Sequence, residues 1–332
     1  MNTFRMLLLL GAVIVLFQGV PVNAQQKVNW NGYLQYRFTD NYLDQTNFSI
    51  RRAKLWLDGN LPTKIGDWSY KVQANFYNKQ SFLFLLQDVY LSYALDKCKI
   101  TAGQFVPDFG LQRRQSDYLI PLTERASVIN SLLPSAETIG RDVGLELGYK
   151  SNSAGFSLGL FNGNGANSVS GRKNFLYSNR GYVSFGNSLN NLQAGYSIAY
   201  RKDNELKFSN ILGSPSIFSG KDFRFGFDAR LKLSAFEFQS EYIEAHLGSK
   251  RALGYYALAN YLIAGKNLIT VSLEQLNDYI PSTIDRPWYT LGYSYLIKGY
   301  FIKVSIDNKL QFINDKTNSL TVVQVQYFFN QE

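Results

Sequence analysis

Apolar and polar residues alternate along this chain in windows of about ten residues, the length of a membrane-crossing strand. In one window Phe223, Phe225, Phe227, Ala229, Leu231 and Leu233 share a parity, while Arg224, Gly226, Asp228, Arg230 and Lys232 share the other. Successive strand residues point to opposite faces, so this segment has an apolar face and a cationic one. The same period marks 28–39, 47–60, 66–77, 85–95, 98–106, 139–150, 153–163 and 175–186. It continues through 190–201, 221–233, 235–246, 250–263, 267–277, 286–297, 299–310 and 318–329. An even set of strands with lipid on one face and water on the other predicts an all-β, 16-stranded antiparallel transmembrane β-barrel. A soluble sandwich or solenoid also alternates, but globular strands run only about five to six residues.

The connections alternate too. Short ones include Asp96-Lys97, Asn187-Ser188-Leu189 and the joins near Ser234 and Lys298. Long ones are 40–46, 78–84, 107–138, 164–174, 202–220 and 278–285; 247–249 is tight where a long one is due. Short turns at one rim and long loops at the other are expected of a barrel with short periplasmic turns and long external loops. The last strand places Thr321, Val323, Val325, Tyr327 and Phe329 on one parity. An aromatic there resembles the terminal signal read by outer-membrane assembly machinery, here followed by Asn330-Gln331-Glu332.

Arg5, the apolar run Met6 to Phe17 and the small residues of Val22-Asn23-Ala24 predict a secretory signal peptide over 1–24, leaving the barrel 25–332. That apolar run falls short of the roughly 20 residues of a spanning helix. Gln25, not a cysteine, follows the cleavage point, which argues against a lipoprotein. Cys98 is the only cysteine, so no intrachain disulfide forms. The expected location is the outer membrane of a Gram-negative bacterium. Tyr, Phe and Trp make up 15% of the chain, as aromatic girdles at two interfaces require. The net charge of +9 favours anionic partners. No Lys/Arg-rich run is present, and an exported chain is not expected to meet nucleic acid. The expected partners are membrane lipid and small anions or other hydrophilic solutes.

The longest connection, 107–138, carries Arg113, Arg114, Glu124, Arg125 and Glu137 beside Leu119, Ile120, Leu122, Ile129, Leu132 and Leu133. So many apolar residues do not suit a solvated loop. The reading is a loop folded inward, constricting the lumen, with apolar residues on the wall and charges toward the ion path. A cover over the mouth or a subunit contact is the alternative. Its charge pairs are expected to meet Asp88, Asp142 or Glu146 on the wall.

Charge inside a pore decides which ions enter. On 47–60, Ala53, Leu55 and Leu57 suit lipid, which turns Arg52, Lys54 and Asp58 inward. Arg51 falls on the lipid parity, so it snorkels at the rim or marks a bulge. Trp56 on the inward parity is a misfit. Arg224, Arg230 and Lys232 face inward beside Asp228, and Lys303 beside Asp307. Glu237, Glu241 and Glu274 also take the inner parity, so a lumen of mixed sign is as consistent as an anion-selective one.

Enzyme chemistry and cofactors are not expected. His246 is the only histidine, with Glu244 on the same parity and no serine motif, which reads as a structural surface residue. Cysteine–histidine zinc spacing, a phosphate-cradling glycine loop and a calcium loop are all lacking.

The segment FSIRRAKLWLDGN, Phe48 to Asn60, resembles the arginine-pair strand of the phosphate-selective porin O and P family. QDVYLSYALDKCKITAGQFVPDFGLQR, Gln87 to Arg113, is similar too, as are Glu124-Arg125 and GRDVGLELGY, Gly140 to Tyr149. The resemblance covers about 30–150, with strand pattern alone beyond it. It implies a porin-like barrel, often a homotrimer, that passes anions along basic residues toward a narrow phosphate site. Carried over, Arg51 and Arg52 match best, and Arg113 and Arg114 more loosely. A long run of closely spaced arginines is missing; Arg172, Lys173, Arg180 and Arg201 are scattered. The candidate pathway is Arg51, Arg52, Lys54, Arg113, Arg114, Arg125, Arg224 and Arg230. Two functions stand: a passive channel for small hydrophilic solutes with an anion preference, or a barrel acting mainly by binding, as an adhesin or accessory subunit.

Overall fold

The computed structural model describes residues 28–43, 45–76, 85–136, 139–168, 174–213, 217–280, 285–314 and 316–330. The expected signal peptide lies outside the described residues, as do Glu137, Arg172 and Lys173. The strands are β1 (Asn29–Asp40), β2 (Thr46–Thr63), β3 (Gly66–Asn75), β4 (Leu85–Leu95), β5 (Cys98–Phe105) and β6 (Asp142–Lys150). Then come β7 (Ala154–Phe161), β8 (Leu176–Gly186), β9 (Asn190–Lys207), β10 (Ile217–Leu233) and β11 (Phe236–Leu247). The rest are β12 (Lys250–Ile263), β13 (Asn267–Asn277), β14 (Trp288–Lys298), β15 (Ile302–Ile313) and β16 (Lys316–Asn330). Two short helices, α1 (Ser127–Leu132) and α2 (Ser209–Leu212), lie in connections.

Each strand pairs antiparallel with its sequence neighbours, and β1 pairs with β16 from Asn31 opposite Asn330 to Asp40 opposite Thr321. The sheet is therefore a closed 16-stranded barrel. Closure leaves no free strand edge, as the bilayer interior demands.

The alternation sets which side chains turn outward. Phe227, Leu291, Leu147 and Leu158 are at least half exposed on the outer surface, while Arg224, Asp228 and Glu241 are buried inside. β9 and β10 extend to Lys207 and back to Ile217, through a stretch expected as the loop 202–220, and Leu206 and Phe218 there turn inward against the core. The tight connection 247–249 is a two-residue turn, with Gly248 at φ +62°.

Not all of the inner wall is polar. Ile243, Ala245, Leu247, Ala252, Leu258 and Leu276 of β11–β13 turn inward and are buried. They form one cluster with Phe109, Val128, Ile129, Leu132 and Leu133 of the β5–β6 connection, with Ile211 of α2, and with Phe208 just before that helix. This packed half of the interior leaves the charged side chains on β1–β4 to line open space.

Candidate functional site

The β5–β6 connection is bonded to inward-facing residues on several sides of the ring. The Leu111 and Gln112 N–H groups donate to Glu241 of β11 at 2.7 and 2.5 Å. The Thr123 N–H donates to Asp307 of β15 at 2.6 Å, and the Ser127 N–H to Glu274 of β13 at 2.8 Å. Lys303 donates to the Ile120 carbonyl at 2.8 Å. On the far wall, Glu124 takes Arg37 of β1 at 2.7 Å, Arg52 of β2 at 3.0 Å, and Arg51. Backbone donors of the connection thus take up carboxylates of β11, β13 and β15, and one carboxylate of the connection gathers three arginines of β1 and β2.

Arg51 reaches Glu124 because β2 is bulged. Gln35 lies opposite Arg52 and Tyr36 opposite Ile50, so Arg51 is the extra residue. A bulge lets two consecutive side chains serve one face, which decides between the two readings of its parity. The same device recurs in β4, where Gln73 faces Asp88 and Ala74 faces Leu86, leaving Gln87 and Asp88 both buried inside.

Two cavities flank this segment. The first, about 710 Å³, is bordered by Thr39, Gln45 and Asn47 toward the long loops. The second, about 570 Å³, is bordered by Gly59, Asn60 and Ser69 toward the short turns. Five residues line both: Lys54, Arg113, Asp117, Arg125 and Arg141. Asp117 pairs with Lys54 and Arg125, and lies 3.5 Å from Arg52. Arg141 and Lys71 share Asp88 at 3.0 and 3.4 Å. Arg113 donates to the Ile139 carbonyl, and its Nε is buried without a partner; among the described residues it pairs with no carboxylate. Around the junction Arg37, Arg51, Arg52, Lys54, Lys71, Arg113, Arg125 and Arg141 stand against Asp88, Asp117 and Glu124. The whole lining of both cavities adds Lys99, Arg114 and Lys309 to the cations and Asp58, Asp108, Glu146, Glu274 and Asp307 to the carboxylates, eleven against eight. Burial alone would raise the Glu124 carboxyl, but Arg52, Arg51 and Arg37 hold it well below the usual carboxylate range.

The family model for phosphate-selective porin O and P matches residues 22–270. The chain belongs to this family. The match runs well past the motifs of 30–150, to the start of β13. Comparison with curated proteins found no match. Among solved structures, this porin is similar to OmpT of Vibrio cholerae in a trimer form, with a TM-score of 0.66 at 12% identity, covering 92% of this chain and 99% of that one. It is also similar to Salmonella typhi OmpF in complex with daunomycin, with a TM-score of 0.61 at 12% identity, covering 92% of this chain and 98% of that one. A Rh. blastica porin mutant gives a TM-score of 0.59 at 12% identity, covering 91% of this chain and all of that one. At such identity these likenesses concern the fold.

Of the porin's sequence-predicted pathway residues, Arg51, Arg52, Lys54, Arg113, Arg114 and Arg125 line one or both cavities. Arg224 and Arg230 line neither. Arg224 is 1% exposed, held by Asp222 and donating to the Leu132 and Leu133 carbonyls at 2.9 and 2.5 Å, so it fastens the end of α1. Arg230 pairs with Glu237 at 2.9 Å near the short turns. The expected loop-to-wall pairs are re-sorted as well. Arg114 pairs within the connection, with Asp108 at 3.2 Å. Asp142 accepts from Ser135 and Glu146 from the Asp108 N–H. Three cations around the junction, Arg37, Lys71 and Arg141, and the hub Asp117 were missing from the sequence reading. Arg37 and Lys71 were legible, since they alternate with apolar neighbours on β1 and β3. Arg141 falls within 139–150 but on the parity of Val143 and Leu145, and lies one residue before β6, while Asp117 sits where no period exists. His246 lies on the outer face beside Glu244, Arg251 and Tyr242, away from both cavities.

Proposed function

We propose that this porin passes small hydrophilic solutes by diffusion, with a preference for anions, phosphate among them. The observation that carries the reading is the junction of the two cavities: four of the five side chains common to both are cations. Rings of fixed charge set the sign of the permeant ion. The β5–β6 connection is the constriction, and its carboxylates trim the positive field without cancelling it. Pairing with Asp117 and Glu124 also holds the long side chains in fixed positions, so an incoming anion meets preorganised donors. The porin acts as a homotrimer in the outer membrane; the similar structure described as a trimer form supports this.

The test is a planar bilayer. Purified porin should conduct, and in a salt gradient its reversal potential should report anion preference. Arg52→Glu with Lys54→Glu should move that potential toward cation selectivity. An unmoved potential places these residues off the ion path, and absence of conductance would instead support a binding barrel.

A further inference from the structure

Trp56 is the residue whose parity did not suit a water-filled lumen, and its surroundings give it a use. It faces inward on β2 in the series Arg52, Lys54, Trp56, Asp58, each about 6.7 Å from the next by strand geometry. Arg52 and Lys54 belong to the cationic junction. Trp56 lines the cavity on the short-turn side with Tyr118 of the constriction. Their rings lie 17° from parallel, with centres 6.4 Å apart, and together make a half-buried aromatic shelf. Lys71 sits 5.4 Å from the Trp56 ring centre. Below the shelf Asp58 accepts from Asn31 at 2.9 Å and from Asn29 at 3.3 Å, and it too lines the cavity. A carboxylate in such a place has lone pairs left for a hydroxyl donor.

Resting on the anion reading above, we infer that this wall is a binding track for sugar phosphates. The phosphate sits at Lys54 and the junction cations, the apolar face of the sugar ring lies on the Trp56–Tyr118 shelf, and ring hydroxyls donate to Asp58. The spacing suits one molecule, since a phosphate and the middle of its sugar ring are about one rung apart. The cavity of about 570 Å³ falls within the range of small-molecule sites. A bare phosphate uses only the first rung, where Lys54, Arg52 and Arg125 already hold Asp117. A ring-bearing phosphate adds aromatic contact and a hydroxyl bond to Asp58, whose existing partners are the neutral amides of Asn29 and Asn31.

The experiment uses full-length porin in planar bilayers carrying KCl current, and reads the concentration of added solute that halves the current. Inorganic phosphate, glucose 6-phosphate, phenyl phosphate and glucose are compared. Glucose 6-phosphate should block at a concentration about tenfold below phosphate, the effect expected of one aromatic stacking contact. Trp56→Leu should erase that difference. Should that variant fail to insert, Tyr118→Leu, which lies off the wall, serves in its place and should shrink the difference. Phenyl phosphate, with a ring and no hydroxyls, should fall between the two; blocking as well as glucose 6-phosphate would overturn the sugar assignment. Equal block by phosphate and glucose 6-phosphate in the parent, or a difference that survives both substitutions, overturns the track itself. Reversal potential in the same membranes reads anion preference independently, so failure of that reading is seen separately.

Discussion

Glu124 holds the side chains of three arginines from two strands, and its ionisation decides whether the constriction stays fastened to the basic wall. Its carboxyl is held below the usual range in the folded barrel, against about 4.3 when unfolded. A depressed carboxyl contributes stability above the unfolded value, and loses it as pH falls through the folded one. The part of the conductance that depends on Glu124, read as the difference between the parent and Glu124→Gln, should therefore be steady on acidification to about pH 4, where an ordinary carboxylate would already be titrating. A change should come only well below that, and Glu124→Gln should show the altered conductance at neutral pH. A difference between the two proteins in bilayers that vanishes already at pH 5 to 6 would falsify this role. The sequence carried Glu124 as a charge on the loop, and its three partners were reachable in part. Arg52 follows from parity and Arg51 from the bulge alternative, but the meeting of β1, β2 and a distant connection follows from no period.

At the scale of elements, the β5–β6 connection acts as a second layer inside the barrel. Its apolar residues were legible as too many for a solvated loop, and Ile120, Leu122, Ile129, Leu132 and Leu133 are indeed buried, while Leu119 remains exposed. The helix α1 was not legible, because six residues hold less than two turns and offer no amphipathic repeat. The inward apolar stripe on β11–β13 was also hidden. A strand apolar on both faces signals burial on both, which the pattern of a wet lumen did not anticipate. Deleting residues 115–135 should leave a folded barrel, since the ladder bonds lie outside the cut. Conductance should rise, and larger sugars should enter liposomes that exclude them with the parent. The deletion also strips the cover from Ile243, Ala252 and Leu258, so the barrel should unfold in detergent at a lower temperature than the parent. A variant that folds and conducts like the parent would move the constriction elsewhere.

On the scale of the whole molecule, strand count and order were written plainly in the period of two, because lipid outside and polar groups inside impose it on most of the wall, the inward apolar stretch of β11–β13 excepted. Strand ends were less legible wherever the chain leaves the bilayer, as in β9 and β10. A closed sheet also makes every register depend on its neighbours, since a slip in one strand turns its side chains inside out. Bulges are the places where that rule is relaxed, and Arg51 sits at one. Removing Arg51 outright would set Arg52 opposite Gln35 and Ile50 opposite Tyr36 as consecutive pairs, which is the alignment those residues already have. The prediction is an uncommon one for a membrane strand: a single-codon deletion at 51 should assemble in normal amounts, whereas deletion of Lys54 should not reach the membrane. Immunoblots of heat-modifiable barrel in outer-membrane fractions compare the two. Over generations, length at this point of β2 is free to drift by one residue while composition on either side is not. Homologues one residue shorter there would then be expected to keep the arginine at 52 and the outward isoleucine at 50 in step.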